Sequence, residues 1–119
     1  MTQSQLKALK SDIQSFLKKD ILDLEKKFLS KGWNASFDDL EKKREKVKSI
    51  GYWTPQIPKK YGGMGMSLVE FAQISSILGS SPIGLYLFNC QAPDAGNMEI
   101  LIEYGTNYQK DKFLKPLLA

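Results

Sequence analysis

Residues 51–66 read Gly51-Tyr-Trp-Thr-Pro-Gln-Ile-Pro-Lys-Lys-Tyr-Gly-Gly-Met-Gly-Met66, and this stretch divides the chain. Its prolines and clustered glycines forbid a continuing helix and predict an ordered Pro/Gly-rich loop at about 52–66. The aromatics Tyr52, Trp53 and Tyr61 are placed to pin that loop to flanking helices. Upstream, Leu6, Leu9, Ile13, Phe16, Leu17, Ile21, Leu24 and Phe28 recur at three- and four-residue steps. They trace one apolar helical stripe over about residues 4–31, which Gly32 ends. Such a helix runs about 40 Å, long for a compact chain of this size, so it must overhang, bend or lie along something larger. A second helix is expected at about 36–50, capped by Ser36, with Phe37, Leu40 and Val47 on one face and Gly51 as its stop.

Downstream the reading is also helical. Ser67-Leu-Val-Glu70 forms a capping box and opens a helix to about Leu78, stopped by Gly79. Ser81-Pro82 restarts one with proline at its first position, and residues 83–90, IGLYLFNC, are apolar on nearly every side and so belong at the centre of the core. Asp94 is expected to cap a helix holding Met98, Ile100, Leu101 and Tyr104. Thr106-Asn-Tyr-Gln109 is a second capping box, starting a last helix that Pro116 must limit. No useful run alternates with strand period. The fold class is all-α: one up-and-down or orthogonal domain over 1–119, of about six helices.

Composition removes several kinds of chemistry. Histidine is absent and Cys90 is the single cysteine, so a Ser-His-Asp triad, an intramolecular disulfide and a Cys/His zinc site are excluded. No apolar run approaches the ~18 residues of a membrane span, and the start, MTQSQLKALKSD, lacks a signal-peptide core. A reducing, cytoplasmic setting is therefore expected. Charge is uneven: residues 1–60 hold 14 Lys and Arg against 8 Asp and Glu, and residues 61–119 hold 3 against 5. The basic half could attract nucleic acid. However, its lysines and arginine alternate with acids at helical spacing, as in Glu41, Lys42, Lys43, Arg44, Glu45 and Lys46, which reads as a solvated face.

Other candidate sites weigh the same way. Gly62-Gly63-Met64-Gly65 before a capped helix has the look of a phosphate cradle, but no strand precedes it and no Lys-Ser/Thr follows, so it reads as a tight turn. Cys90 has nothing to activate it and reads as a small buried hydrophobe. A cap and solvated positions account for Asp94, Glu99 and Glu103. Tyr52 and Trp53 could stack on bases, but loop anchoring suffices.

The punctuation carries more. Ile57-Pro-Lys-Lys-Tyr-Gly-Gly-Met-Gly-Met-Ser67, followed by Glu70, resembles the P-E-x-Y-G-G-x-G-x-S…E signature of acyl-CoA dehydrogenases, with Lys59 where an acid is common. Tyr104-Gly-Thr-Asn-Tyr-Gln-Lys-Asp-Lys-Phe-Leu-Lys-Pro-Leu-Leu118 resembles that family's Y-G-T/S-x-x-Q-K-x-x-x-L-x-P-L segment. Between them, Phe88-Asn-Cys-Gln-Ala-Pro-Asp-Ala-Gly-Asn-Met-Glu99 is similar to a run typical of one subgroup, in whose animal members a kinase-like domain precedes the dehydrogenase. The likeness is close over residues 51–119 and only helical in character before that.

The resemblance implies the amino-terminal helical domain of a three-part flavoenzyme that oxidises acyl-CoA to 2-enoyl-CoA. FAD would lie between a middle β-domain and a carboxy-terminal helical bundle, and the catalytic glutamate would belong to the latter. On that reading this chain alone holds no catalytic, cofactor or metal residue and is inactive by itself. It would supply a wall of the acyl pocket, with Phe88, Gln91, Asp94 and Ala95 nearest by position. Expected partners are acyl-CoA in the complete enzyme and the remaining domains, or a further copy of the chain. Self-association or an exposed apolar patch is expected beside residues 85–95, with Phe16, Ile21 and Phe28 as a further stripe. The alternatives are a free-standing helical interaction module derived from this fold and, from charge alone, a small nucleic-acid binder.

Overall fold

A computed structural model describes residues Met1–Ala119, all helix, turn and loop without a strand. It forms a slab of 41 × 38 × 21 Å. Its Cα radius of gyration is 14.6 Å, somewhat above the roughly 13.5 Å expected for a compact chain of this length. The long first rod causes the excess. Helix α1 (Gln3–Phe16) opens on a capping box between Thr2 and Gln5, passes through a π-helical turn (Leu17–Ile21) and continues into α2 (Leu22–Ser49). The π turn absorbs one residue, which keeps Leu9, Ile13, Phe16, Leu17, Ile21 and Leu24 on one buried side. Phe16 and Ile21 are therefore core residues and do not overhang as expected; Phe28 alone of that trio stays half-buried.

Gly32 breaks the rod as its position implies. At φ 84° and ψ −174° it occupies backbone space open in practice only to glycine, and the second arm of α2 folds back beside the first. Lys27 and Asp39 join the two arms at 2.6 Å. Ser36 does not cap this arm. The helix resumes immediately after Gly32, so Ser36 is already inside it, fully buried with its Oγ unpartnered. Gly51, at φ 85°, ends α2, with Tyr52 N–H donating to Val47 O.

The loop that follows closes on itself. Gly65 N–H donates to Ile57 O at 2.8 Å and Met66 N–H to Pro55 O at 3.1 Å. Its aromatics do pin it. Tyr52 Oη donates to Asp12, Trp53 Nε1 to Leu118 O at 2.8 Å, and Lys110 Nζ to Tyr61 Oη. Helix α3 (Leu68–Leu78) starts on the expected Ser67–Glu70 box.

Residues 83–90 are central, with Ile83, Leu87 and Phe88 almost wholly buried, but they are not one helix. Ser81 and Pro82 form a turn in which Ser81 Oγ accepts from Ile83 N–H, and α4 (Gly84–Leu87) is a single turn. Asn89, at φ 53°, ends it. Asp94 is the first residue of α5 (Asp94–Tyr104) rather than its cap; Pro93 precedes it and no side chain caps the helix. The Thr106–Gln109 box opens α6 (Asn107–Gln109), which passes through a second π turn (Lys110–Leu114) into α7 (Lys115–Leu118). Pro116 lies inside this path, in the first turn of α7, where a missing N–H is tolerated. Sixteen residues make the main core, and Ile57, Met98 and Leu114 a second, smaller one.

Candidate functional site

The surface turn at residues 91–95 stands on a buried stem. Gly84 lies so close to α3 that a Cβ there would sit 2.2 Å from Leu78 O, which seats α4 deep in the core. Phe88 fills the space beyond, edge-on to Phe16 at 6.0 Å between ring centres. Cys90 follows, its thiol 3.6 Å from Leu85 O and pushed up to about 12 by burial. The chain then emerges at Gln91, crosses a cis Ala92–Pro93 bond and enters α5. Ala95 N–H donates to Gln91 O at 3.0 Å. Gln91, Asp94 and Ala95 thus share one partly exposed turn. Phe88 does not join them at the surface, since none of its area is exposed; it supports the turn from below.

Behind this stem lies a cluster built around Arg44, whose helical spacing among acids predicts a position on a solvated face. Arg44, the only arginine beside 16 lysines, leaves that face. Its side chain is 15% exposed and its guanidinium sits 4.2 Å from the Tyr86 ring centre and 4.9 Å from that of Trp53. It donates to Tyr86 O at 3.2 Å and to Asn89 Oδ1 at 3.4 Å. Tyr86 Oη donates to Glu41, and burial first, then that carboxylate, holds the phenol above its ordinary range. Thr54, at φ 45° and buried, donates its N–H to Phe88 O at 3.0 Å. Two left-handed non-glycine residues therefore meet at one place, a pattern that concentrates at functional positions.

The largest cleft, about 710 Å³, lies between the arms of α2. It is lined by Lys19, Lys27, Lys42, Lys43, Lys46, Asp20, Asp23, Asp39 and Leu24. Lys27 holds the Asp39 carboxyl below the usual carboxylate range, first by hydrogen bond and then by charge. Interspersed acids make this a poor track for a phosphate backbone. The glycine turn offers no cradle either: a Cβ on Gly63 would lie 2.1 Å from Ile57 O, so backbone already fills the space behind it. No helix is long and apolar enough to cross a membrane.

An all-helical domain with a strapped glycine loop and a surface turn on a buried stem is the class of protein these features define. The family model for the acyl-CoA dehydrogenase N-terminal domain matches residues 3–119, and the chain belongs to that family. It is 45% identical over 85 residues to mouse acyl-CoA dehydrogenase family member 10, a match covering 66% of this chain and 8% of that protein. Against human family member 11 it is 40% identical over 79 residues, covering 66% and 10%. A solved structure ascribed to an acyl-CoA dehydrogenase of Mycobacterium abscessus superposes with a TM-score of 0.87 at 28% identity, covering 99% of this chain and 32% of that one. The chain therefore matches about a tenth of those curated relatives and about a third of that structure.

Proposed function

We propose that this chain serves as the amino-terminal helical part of a flavin-dependent acyl-CoA dehydrogenase, lending one wall to the acyl pocket and a surface to further domains. The observation that carries this reading is the partly exposed turn of Gln91, Asp94 and Ala95, raised on a buried stem in a domain of this family. Gln91, Asp94 and Ala95 would face the acyl chain, with Phe88 packed beneath them. On this reading FAD and the proton-abstracting base belong to the rest of the enzyme. Acyl-CoA is the substrate of that complete enzyme, the remaining domains or a second copy cover the leftover apolar surface, and the compartment is cytoplasmic. Nucleic acid is not a partner on this reading.

Titration of the nitrogen-15-labelled chain with octanoyl-CoA tests the wall. Amide resonances of Gln91, Asp94 and Ala95 are expected to move with octanoyl-CoA and stay still with CoA alone. Equal shifts with both ligands, confined to Lys42, Lys43 and Lys46, would sink the reading by moving the ligand to the charged cleft. The chain with FAD and an artificial electron acceptor is expected to oxidise no acyl-CoA, and turnover would show that it carries its own base. The self-contained core keeps a second reading in view, a free-standing helical interaction module.

A further inference from the structure

We infer that Asn89, held from behind by Arg44, is the positioning residue of the proposed wall, fixing where Gln91, Asp94 and Ala95 stand. The inference rests on the acyl-wall reading and supplies its mechanical anchor.

Asn89 is 3% exposed and its φ is 53°, a conformation asparagine tolerates better than most L-residues. Its side-chain amide is used at both ends. Nδ2 donates to Leu117 O at 2.8 Å, and Oδ1 accepts from Arg44 Nη2 at 3.4 Å. The backbone around it is equally committed. Asn89 N–H donates to Tyr86 O at 3.1 Å, the same carbonyl that Arg44 Nη1 reaches at 3.2 Å. The carbonyl before it, Phe88 O, accepts from Thr54 N–H, and the amide after it, Cys90 N–H, donates to Leu85 O at 3.0 Å. The chain thus reaches Gln91 with its direction already set, and the bond from Ala95 N–H to Gln91 O passes that direction into α5.

Arg44 has little room to swing. Tyr86 and Trp53 flank its guanidinium, and the Trp53 indole is itself tied to Leu118 O at 2.8 Å. A lysine could keep the charge, but it has no planar fork to reach two acceptors while stacking on two rings. Neither residue needs to touch substrate for this role; both act through Gln91 and Ala95.

The test uses the whole chain with Asn89→Gly, Arg44→Lys and the double change. Glycine keeps the left-handed backbone available and removes both side-chain bonds, so refolding around a strained residue is not at issue. With each single change, exchange of the Cys90 and Ala95 amides is expected to quicken about tenfold while Ile13 and Ile74 in α1 and α3 keep wild-type rates, the mark of local rather than global opening. Resonances of Gln91, Asp94 and Ala95 should shift together. Because the Arg44–Oδ1 bond is shared by both residues while the Arg44 contact to Tyr86 O is not, the double change should displace them by less than the sum of the two single changes. Uniformly faster exchange through every helix would reduce the pair to general stability and overturn the inference. So would unmoved Cys90–Ala95 signals, or displacements that simply add. Octanoyl-CoA on the wild-type chain is the separate readout of the wall itself. Its failure, beside local loosening in the variants, would strike the ligand reading and not the anchor.

Discussion

Cys90 sits where a thiolate is disfavoured. Burial raises its pKa from 9.0 to about 12, so the neutral thiol is the form the fold accommodates. Below about 9 both folded and unfolded chains are protonated and this contribution to stability is whole. From about 9 towards 12 only the unfolded chain ionises, so stability falls as pH rises. Melting curves should therefore show the wild-type chain losing stability between pH 9 and about 11 faster than a Cys90→Ala chain; parallel curves would contradict the buried thiol. Gly63 poses a different residue-scale question. A Cβ there would meet Ile57 O at 2.1 Å, a backbone atom with no freedom to yield. Gly63→Ala should cost about 2–3 kcal/mol and lower the melting temperature by about 10 °C. A melt within a degree or two of wild type would mean that the loop is looser than its hydrogen bonds indicate. The glycine cluster was readable as a turn, but the need for glycine at this one position arises only when the loop closes on Ile57.

Among the elements, α2 depends most on one position. Gly32 lets the second arm turn back on the first, in backbone space where other residues cost about 1–3 kcal/mol. Alanine would also favour a straight helix through the bend. Gly32→Ala is expected to lower stability by that amount in urea titration and to raise the radius of gyration above 14.6 Å in solution scattering; unchanged values in both measurements would refute the assigned role of the bend. This corner was legible because a lone glycine between two periodic stripes is a local signal. The boxes at Ser67–Glu70 and Thr106–Gln109 were legible for the same reason, since each spans only four residues. The same residue preference misled at Ser36 and Asp94. Ser36 has the chemistry of a cap but lies inside a helix that resumed earlier, and Asp94 follows a proline already in helical geometry. At residues 83–90 apolarity correctly indicated burial, yet it could not separate a helix from a packed irregular stem.

At the scale of the whole molecule, the anchor behind the proposed wall was scarcely legible. Arg44 reaches Tyr86 and Asn89 across 42 and 45 residues, and Trp53 reaches Leu118 across 65. Nothing local announces such partners, and the one available hint was a single arginine among lysines. Surface apolarity is another property of the whole. Beside residues 85–95 the large exposed apolar side chains are Trp33 and Phe37, 42% and 44% exposed, with Trp33 packed on Tyr86 at 4.8 Å. More apolar surface lies on α5 and the segment after it, where Ile100, Tyr104 and Phe113 are 60%, 81% and 49% exposed around a groove of about 330 Å³. Scattered apolar residues on a surface are ordinary, whereas a contiguous exposed patch beyond a few hundred Å² is the kind that other surfaces cover. The isolated chain should therefore brighten an environment-sensitive dye at micromolar concentration and sediment heavier than 13.5 kDa. Combining Tyr104→Ser with Phe113→Ser should remove about half of the dye signal. The melting temperature should stay near wild type, because neither side chain belongs to the buried core. A monomer that leaves the dye dark would mean that these side chains close over one another in water, and it would favour the free-standing module over a domain shaped to meet others.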